Sequence, residues 1–197
     1  MNAMHKPAHT HEVVLQPGDF HFGDENTRIR TLLGSCVSIT MWHPLKKIGG
    51  MCHYMLPSRN VKQIEALDGR YADEAIIMLF QEAVRYNTNP KDYIVKVFGA
   101  GNMFPYLDKR IYEKKHAAHN SVPRKNTEII HTLASSYGFA IEAHDLGGEG
   151  HRNIIFDIWN GHVWVRQTHV EGKGQMENAI KALTFAVVPR RMTVQIR

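Results

Sequence analysis

Short apolar runs rich in β-branched residues form clusters before and after two well-separated helical segments. Apolar residues recur with helical spacing over residues 71–86, and a second helix is predicted over 123–137, with Gly138 just past its end. Strands are predicted at residues 28–33, 36–42, 48–56, 93–99, 139–145, 152–159 and 162–167. Because the strands are clustered and do not alternate regularly with helices, the pattern predicts an α+β fold and not a doubly wound parallel sheet.

The turns between neighbouring runs favour antiparallel pairing. Asn160-Gly161 separates two apolar runs, and this dipeptide is the strongest short-range hairpin signal in the chain. His43-Pro44 and the two lysines after it form another turn, between the second and third predicted strands. We therefore expect mostly antiparallel strands with two main helices.

The length of the chain suits one domain with flanking segments. With 197 residues, 43% of them hydrophobic, the chain can bury a core without disulfides or metal ions. Residues 1–12 are rich in histidine and poor in apolar residues, so we expect a disordered arm there. The domain is predicted over residues 13–167, and residues 168–197 are expected to form a C-terminal extension of unknown role.

Charge, hydropathy and cysteine content argue against several classes of protein. The formal net charge is +5, but Lys and Arg are scattered along the chain, so no nucleic-acid partner is expected. No apolar run reaches the roughly 18–20 residues that a membrane-spanning helix needs, so membrane insertion is not expected. The N-terminus lacks the apolar segment of a secretory signal, and two cysteines cannot form a disulfide framework. These features favour a cytoplasmic protein with reduced thiols.

A cysteine and a histidine occupy neighbouring predicted strands at the same end of a hairpin. Cys36 follows Gly34-Ser35, and a tight glycine corner can expose a side chain while several backbone N–H groups point to one place. His53 lies 17 residues later, so antiparallel pairing brings it within side-chain reach of Cys36. A nucleophilic cysteine needs a lowered pKa, which a nearby imidazolium supplies. The pair therefore fits a cysteine–histidine nucleophilic site.

The same residues also fit a structural interpretation. A buried Cys36 would pack as a small hydrophobic side chain, and His53 would be a core histidine with satisfied hydrogen bonds. Cys52 should point to the opposite face of the strand from His53 and pack in the core. Spacing alone leaves the catalytic and the structural interpretation of Cys36 open.

Three further motifs carry weaker signals. Gly99-x-Gly101 after a strand suggests a dinucleotide loop, but the third glycine is missing. His116 and His119 have a helical spacing that zinc ligands use, but they lie in a lysine-rich loop without further ligands. The glycine-rich stretch 145–152 is either a plain connection or a pocket wall. No metal site is predicted.

Several stretches together resemble a known family. The stretch TLLGSCVSITMWHP at 31–44, followed by IGGMCHYMLP at 48–57, is similar to the signature of the chemoreceptor glutamine deamidases (CheD). The other matching elements are Tyr71-Ala72-Asp73, FGAGNMF at 98–104, Arg124-Lys125-Asn126, DLGG at 145–148, Arg152, IIFD at 154–157 and Asn160-Gly161 with VWVR at 163–166. The resemblance covers roughly residues 15–167 and favours the catalytic interpretation of Cys36 and His53.

The resemblance implies a fold and an activity. The family has a sandwich-like domain related to bacterial glutamine-deamidating toxins, and it converts particular glutamine side chains of methyl-accepting chemotaxis receptors to glutamate, with release of ammonia. It implies Cys36 as nucleophile and His53 as base. The third member of the family triad is a threonine six residues before the cysteine, where this chain has Arg30, so the role falls to Thr31. A shift by one residue turns a strand side chain to the other face, unless the glycine corner absorbs the difference.

The implied mechanism is attack of the Cys36 thiolate on the glutamine amide, followed by hydrolysis of a thioester, without a cofactor. Backbone N–H groups around residues 35–37 are candidates for stabilising the oxyanion. Substrate contact is predicted for Gly34, Ser35, Gly101, Asn102 and Arg152.

The resemblance also implies partners. Chemotaxis receptors are the expected protein substrates, and a chemotaxis phosphatase associates with the family in some bacteria. The main alternative function is a regulatory module that docks on receptors or on the phosphatase with little or no catalysis. Hydrolysis of receptor methyl esters at the same site and a dinucleotide-binding enzyme are further alternatives.

Overall fold

A computed structural model describes residues 6–59, 66–103 and 121–168. These residues form nine strands, two α-helices and one short 3-10 turn at Pro90–Asp92. The strands are β1 (His11–Val14), β2 (Phe20–Gly23), β3 (Thr27–Leu33), β4 (Val37–His43), β5 (Ile48–Tyr54), β6 (Ile94–Gly99), β7 (Ile141–Leu146), β8 (His151–Asp157) and β9 (His162–Thr168). The helices are α1 (Ala72–Arg85) and α2 (Val122–Ser136).

The strands form two sheets. The first sheet has the order β1-β3-β8-β9, and the second has the order β2-β5-β4-β6-β7. Only β1 with β3 and β6 with β7 pair in parallel among the described strands, and the other neighbours are antiparallel. The structure therefore confirms the expected α+β fold of mostly antiparallel strands with two main helices. The hairpin predicted at Asn160-Gly161 joins β8 to β9.

The central strand β4 separates two hydrophobic cores. Val37, Ile39 and Met41 pack with α1 and α2 in one core. Trp42 belongs to the other core, between the two sheets, and the two-residue period of a strand turns Ser38 to that same side. Because both faces of β4 are buried, its sequence is a nearly continuous apolar run. The molecule is thus built in three layers: helices, second sheet and first sheet.

The helices follow the sequence pattern closely. Tyr71 is the residue before α1, and Asp73 and Glu74 lie in its first turn, where carboxylates interact favourably with the positive end of the helix. Pro123 lies in the first turn of α2, where its missing N–H is not needed. Gly138 follows α2 with a φ of +79°, a conformation that favours glycine.

The sequence pattern did not indicate β1 and β2. His11 and Glu12, the last two residues of the predicted arm 1–12, belong to β1 and pair with β3. Each of the two strands has only four residues, too few for a clear alternation of apolar and polar side chains. The predicted extension 168–197, apart from Thr168, lies outside the described residues. None of the helices described is long and apolar enough to cross a membrane.

Candidate active site

The corner at residues 34–36 carries the chain from one sheet to the other. It follows β3 of the first sheet and precedes β4 of the second. Cys36 is partly exposed at this corner, and it packs against the core between the sheets. The thiol therefore lies at the edge of the sandwich, where solvent and the buried core meet.

His53 lies on β5, next to the corner. Antiparallel pairing places it directly opposite Ser38, two residues beyond Cys36 along β4. Directly paired residues point to the same face of a sheet, so His53 and Ser38 both face the first sheet. The expected pairing, which brings Cys36 and His53 to the same end of the hairpin, is confirmed.

Thr31 reaches His53 across the sandwich. Its Oγ1 lies 2.8 Å from Nδ1 of His53, and both residues are buried. The same Oγ1 donates a hydrogen bond to the Leu15 carbonyl oxygen at 2.9 Å. A threonine hydroxyl has one hydrogen to donate, so Oγ1 accepts from Nδ1–H. Nδ1 of the neutral imidazole therefore carries the proton, and Nε2 presents a lone pair.

The backbone of His53 is held by the segment between β1 and β2. The backbone N–H of Gly18 donates to the His53 carbonyl at 2.7 Å, and the His53 N–H donates to the Asp19 carbonyl at 2.9 Å. Leu15, from the same segment, supplies the acceptor for Thr31. This short segment thus fixes both the backbone and the tautomer of the histidine.

Burial keeps both Cys36 and His53 neutral in the free site. Burial raises the pKa of the Cys36 thiol to about 11, although a hydrogen bond from the Ser35 side chain opposes this shift. Burial lowers the pKa of His53 to about 4. The expected lowered cysteine pKa is therefore wrong for the free protein, because burial raises the pKa of Cys36 and lowers that of His53, which favours the neutral form of each.

Two buried polar atoms on the paired strands β4 and β5 have no hydrogen-bond partner among the described residues. They are Nε2 of His53, in a side chain that is 2% exposed, and Oγ of Ser38, which is fully buried. Such atoms are costly to leave unpaired, and they concentrate at sites that bind or transform a ligand. Both atoms are on the face that Cys36 shares.

A second corner, after β6, fastens the cysteine corner. The backbone N–H of Ala100 donates to the Cys36 carbonyl, and the N–H of Gly101 donates to the Gly34 carbonyl, each at 2.8 Å. A Cβ added to Gly99 would lie 2.2 Å from the Cys36 carbonyl oxygen, so only glycine permits this approach. The predicted site residues Gly34 and Gly101 therefore contact each other through the backbone.

Arg152 makes its described hydrogen bonds within the protein, and its expected contact with substrate stays a prediction. Its side chain is 2% exposed, and it forms an ion pair with Asp145 at 2.9 Å. It also donates to the carbonyls of Gly147 at 2.8 Å and Gly99 at 3.4 Å. Its donors are therefore occupied inside the protein, where they fasten the glycine-rich stretch 145–152 to the end of β6.

Asn102 joins the same two segments. Its backbone N–H donates to Gly148 at 2.7 Å, and its carbonyl accepts from Gly150 at 3.0 Å. Of the two interpretations of this glycine-rich stretch, its close packing behind the cysteine corner favours a wall of the site.

Comparisons with known proteins identify the family of the chain. The model of the family described as CheD chemotactic sensory transduction matches residues 55–167, more than half of the chain. A probable chemoreceptor glutamine deamidase CheD of Pseudomonas savastanoi pv. phaseolicola is 48% identical over 169 residues, which cover 85% of this chain and 91% of that protein. The chain belongs to the CheD family.

Other relatives carry the same name. A probable chemoreceptor glutamine deamidase CheD of Pseudomonas fluorescens is 48% identical over 83% of this chain and 88% of its own length. A third, of Dechloromonas aromatica, is 43% identical over 81% of this chain and 89% of its own length. Among solved structures, the hypothetical protein YfiH of Bacillus licheniformis has a TM-score of 0.41 at 14% identity, covering 64% of this chain and 49% of that chain.

Two residues complete the description of this CheD family site. Cys52 is fully buried in the core beneath the helices, as predicted from its position beside His53. Asn126, which belongs to a matching stretch but received no role from the sequence, is fully buried and contacts Ser35.

Metal ligands are sparse in the part of the chain that the structure describes. No group of three or more His, Cys, Asp or Glu side chains there is arranged to hold a metal ion. His116 and His119 lie outside the described residues.

Proposed function

We propose that this chain hydrolyses glutamine side chains of chemotaxis receptors to glutamate, with Cys36 as the nucleophile and His53 as the base. The observation that carries the proposal is the bond from His53 Nδ1–H to Thr31, since it leaves the Nε2 lone pair on the face that Cys36 shares. The relatives named probable chemoreceptor glutamine deamidase support the choice of substrate.

The first step forms a thioester. His53 Nε2 takes the thiol proton of Cys36 as Sγ bonds to the side-chain amide carbon of the glutamine, whose carbonyl oxygen becomes an oxyanion. The resulting imidazolium donates its proton to the amide nitrogen, the C–N bond breaks, and ammonia leaves. Because burial disfavours both the thiolate and the imidazolium in the free site, the transfer of the thiol proton to His53 belongs to this step.

The second step hydrolyses the thioester and regenerates the free thiol of Cys36. His53 Nε2 removes a proton from water, the hydroxide oxygen bonds to the thioester carbon, and the C–S bond breaks. The Cys36 sulfur regains the proton from the imidazolium, and the product is a glutamate side chain. No cofactor takes part in either step.

The corner offers donors for the oxyanion. Among the described residues, neither the Ser35 N–H nor the Cys36 N–H donates to a backbone carbonyl. Backbone N–H groups beside a nucleophile are suited to the negative oxygen of a tetrahedral intermediate. We therefore assign these two groups to the oxyanion, and assign Gly34 and Gly101 to supporting the corner that carries them.

The position of Thr31 argues against the alternative of a non-catalytic regulatory module. That alternative drew support from the shift of the threonine by one residue relative to the family pattern. Thr31 nevertheless hydrogen-bonds to His53 at 2.8 Å, because it reaches across from the other sheet. A phosphatase partner stays a prediction.

The proposal can be tested by mass spectrometry of a receptor signalling domain incubated with the protein. Hydrolysis replaces an amide NH2 by OH, and the mass shift can be assigned to individual glutamines. We expect modification by the wild-type protein and none by Cys36→Ala. Cys52→Ala is the matched control, because it removes the other thiol from the opposite face of the second sheet. Unmodified glutamines with the wild-type protein, or equal activity in Cys36→Ala, would contradict the proposal.

A further inference from the structure

One buried amide on α2 contacts both segments of the site. Asn126 is fully buried, and its Nδ2 donates to the carbonyl of Ser35 at 3.3 Å and to that of Met55 at 2.9 Å. Ser35 is bonded directly to Cys36, and Met55 is two residues beyond His53. A single NH2 group therefore links the backbone of the proposed nucleophile to the backbone that follows the proposed base.

The two acceptors fix the orientation of this amide. Both are backbone carbonyls, which only accept hydrogen bonds, so an exchange of Nδ2 and Oδ1 would set an oxygen against two oxygens. Oδ1 of Asn126 is buried without a partner among the described residues. An unpartnered buried acceptor costs free energy. The two donated bonds of Nδ2 are the interactions that offset this cost.

Asn126 is itself firmly held. Its backbone carbonyl accepts a hydrogen bond from the Tyr54 hydroxyl at 3.1 Å, and Tyr54 is fully buried. Later residues of the same helix, Ile130 and Ala134, pack in the core beneath the helices. The amide is thus fixed relative to the second sheet and acts as a rigid support.

The cysteine corner is supported from two sides. Ala100 and Gly101 hold it from the side of β6 through two backbone hydrogen bonds. Asn126 holds it from the side of β5, through the Ser35 carbonyl. On that side the pairing of Val37 with Tyr54 begins only after Cys36, so without the amide the Ser35 carbonyl loses its link to the end of β5 and the corner gains freedom to shift relative to His53.

We propose that Asn126 is a positioning residue, which fastens the cysteine corner to the end of β5 and so fixes the separation of the Cys36 thiol and the His53 imidazole. This inference rests on the proposed function and assigns it a further residue. Displacement of a reacting group by about 1 Å can cost on the order of 100-fold in rate. We therefore expect the loss of the amide to lower kcat by about that factor, with little change in KM.

The experiment compares Asn126→Ala and Asn126→Asp with Thr127→Ala. The aspartate keeps the shape but sets acceptors against both carbonyls. Thr127 is the matched control, because its hydroxyl bonds only within the helix, to the Pro123 carbonyl at 3.0 Å. The first readout is kcat and KM for glutamine hydrolysis in a receptor signalling domain. The second is the pH dependence of Cys36 alkylation by iodoacetamide, which needs no receptor.

The alkylation readout separates local loosening from loss of the fold. Cys52 is fully buried, so its resistance to alkylation reports that the core is intact. With Cys52 protected, we expect both Asn126 variants to lower kcat and to move the midpoint of Cys36 alkylation to lower pH, since a freed corner exposes the thiol to water. Thr127→Ala should match the wild type in both readouts. If a variant exposes Cys52, alkylation is repeated with enough sucrose to restore its protection.

Two outcomes would overturn the inference. One is an unchanged alkylation midpoint and unchanged kcat in Asn126 variants whose Cys52 is protected. The other is a lower kcat without any shift of the midpoint, which would assign Asn126 to substrate contact. A wild-type protein without hydrolytic activity would refute the proposed function alone, because the alkylation midpoints would still test the support of the corner.

Discussion

The two cysteines lie on opposite faces of the second sheet, and the comparison shows what distinguishes a candidate nucleophile. Burial raises the pKa of both, to about 11 for Cys36 and about 12 for Cys52. Cys52 is enclosed by apolar side chains beneath the helices, whereas Cys36 is partly exposed at a corner. Among the described residues, His53 lies on the face of Cys36 and presents a lone pair at Nε2 that has no hydrogen-bond partner. Access and a neighbouring base, and not a low resting pKa, make the difference.

The largest expected effect is on the rate of hydrolysis, when the proposed base on the face of Cys36 is removed. His53→Ala should lower glutamine hydrolysis by about 100- to 10,000-fold, the usual contribution of a general base. Mass spectrometry of a receptor signalling domain measures the effect. His162→Ala is the matched control, because His162 is exposed on β9. Hydrolysis at the wild-type rate by His53→Ala would mean that another group is the base, and the two cysteine faces would then differ in access alone.

The next effect is on stability, and it follows from the buried histidine. Its pKa is lowered from 6.5 to about 4. As pH falls from 6.5 towards 4, the unfolded chain binds a proton at His53 and the folded chain does not, so the free energy of unfolding decreases. The loss from this residue is at most roughly 3 kcal/mol. Urea unfolding at several pH values should show it, and His53→Gln should flatten that decrease. If the free energy of unfolding depended on pH in the same way in the wild type and in His53→Gln, the environment of His53 would be more hydrated than the structure indicates.

A third effect compares the two cysteines directly, through the pH dependence of their alkylation rates. The alkylation rate of Cys36 should rise about tenfold for each pH unit between 7 and 9, because the thiolate fraction rises by that factor below the pKa. Cys52 should resist alkylation over the same range while the protein is folded. Mass spectrometry of peptides reports both rates. A plateau for Cys36 near neutral pH would instead support the lowered pKa expected from the sequence, and faster alkylation of Cys52 would refute the choice of nucleophile.

The smallest effect concerns the hydroxyl that orients the base. Thr31→Val should lower kcat by about 10- to 100-fold, because it leaves the buried Nδ1–H of His53 without an acceptor, at a cost of about 1–3 kcal/mol. Thr31→Ser keeps the hydroxyl and should restore most of the rate. Steady-state kinetics on a receptor signalling domain gives both values. Equal rates in the valine and serine variants would remove the hydroxyl from the mechanism.

Local patterns predicted most of the fold and the pairing in the site. Strands β3 to β9 and both helices lie close to the predicted ranges, since long β-branched runs, the Asn160-Gly161 turn and helical spacing are local signals. Cys36 and His53 lie at the same end of one hairpin, so their relative placement could be predicted by counting residues. The short strands β1 and β2 offer no comparable signal.

The remaining features of the site depend on contacts between distant elements. Thr31 and His53 belong to different sheets and are hydrogen-bonded to each other. The number of residues between Thr31 and Cys36 therefore does not decide whether Thr31 contacts His53. Arg152 is predicted from the sequence to contact substrate. In the structure its guanidinium bonds to the Asp145 carboxylate and to the Gly99 carbonyl, which belong to other elements. The raised pKa of Cys36 reflects burial, which spacing cannot reveal. The contacts of Asn126 likewise appear only when α2 packs on the second sheet.

The passage of the chain from one sheet to the other at residues 34–36 has a consequence for folding. Thr31 belongs to one sheet and His53 to the other, and they meet only when both sheets are packed together. A newly made chain with one sheet formed would carry a thiol but no oriented base. Forms in which the two sheets are not packed together would therefore lack the oriented histidine that the proposed hydrolysis of amides requires.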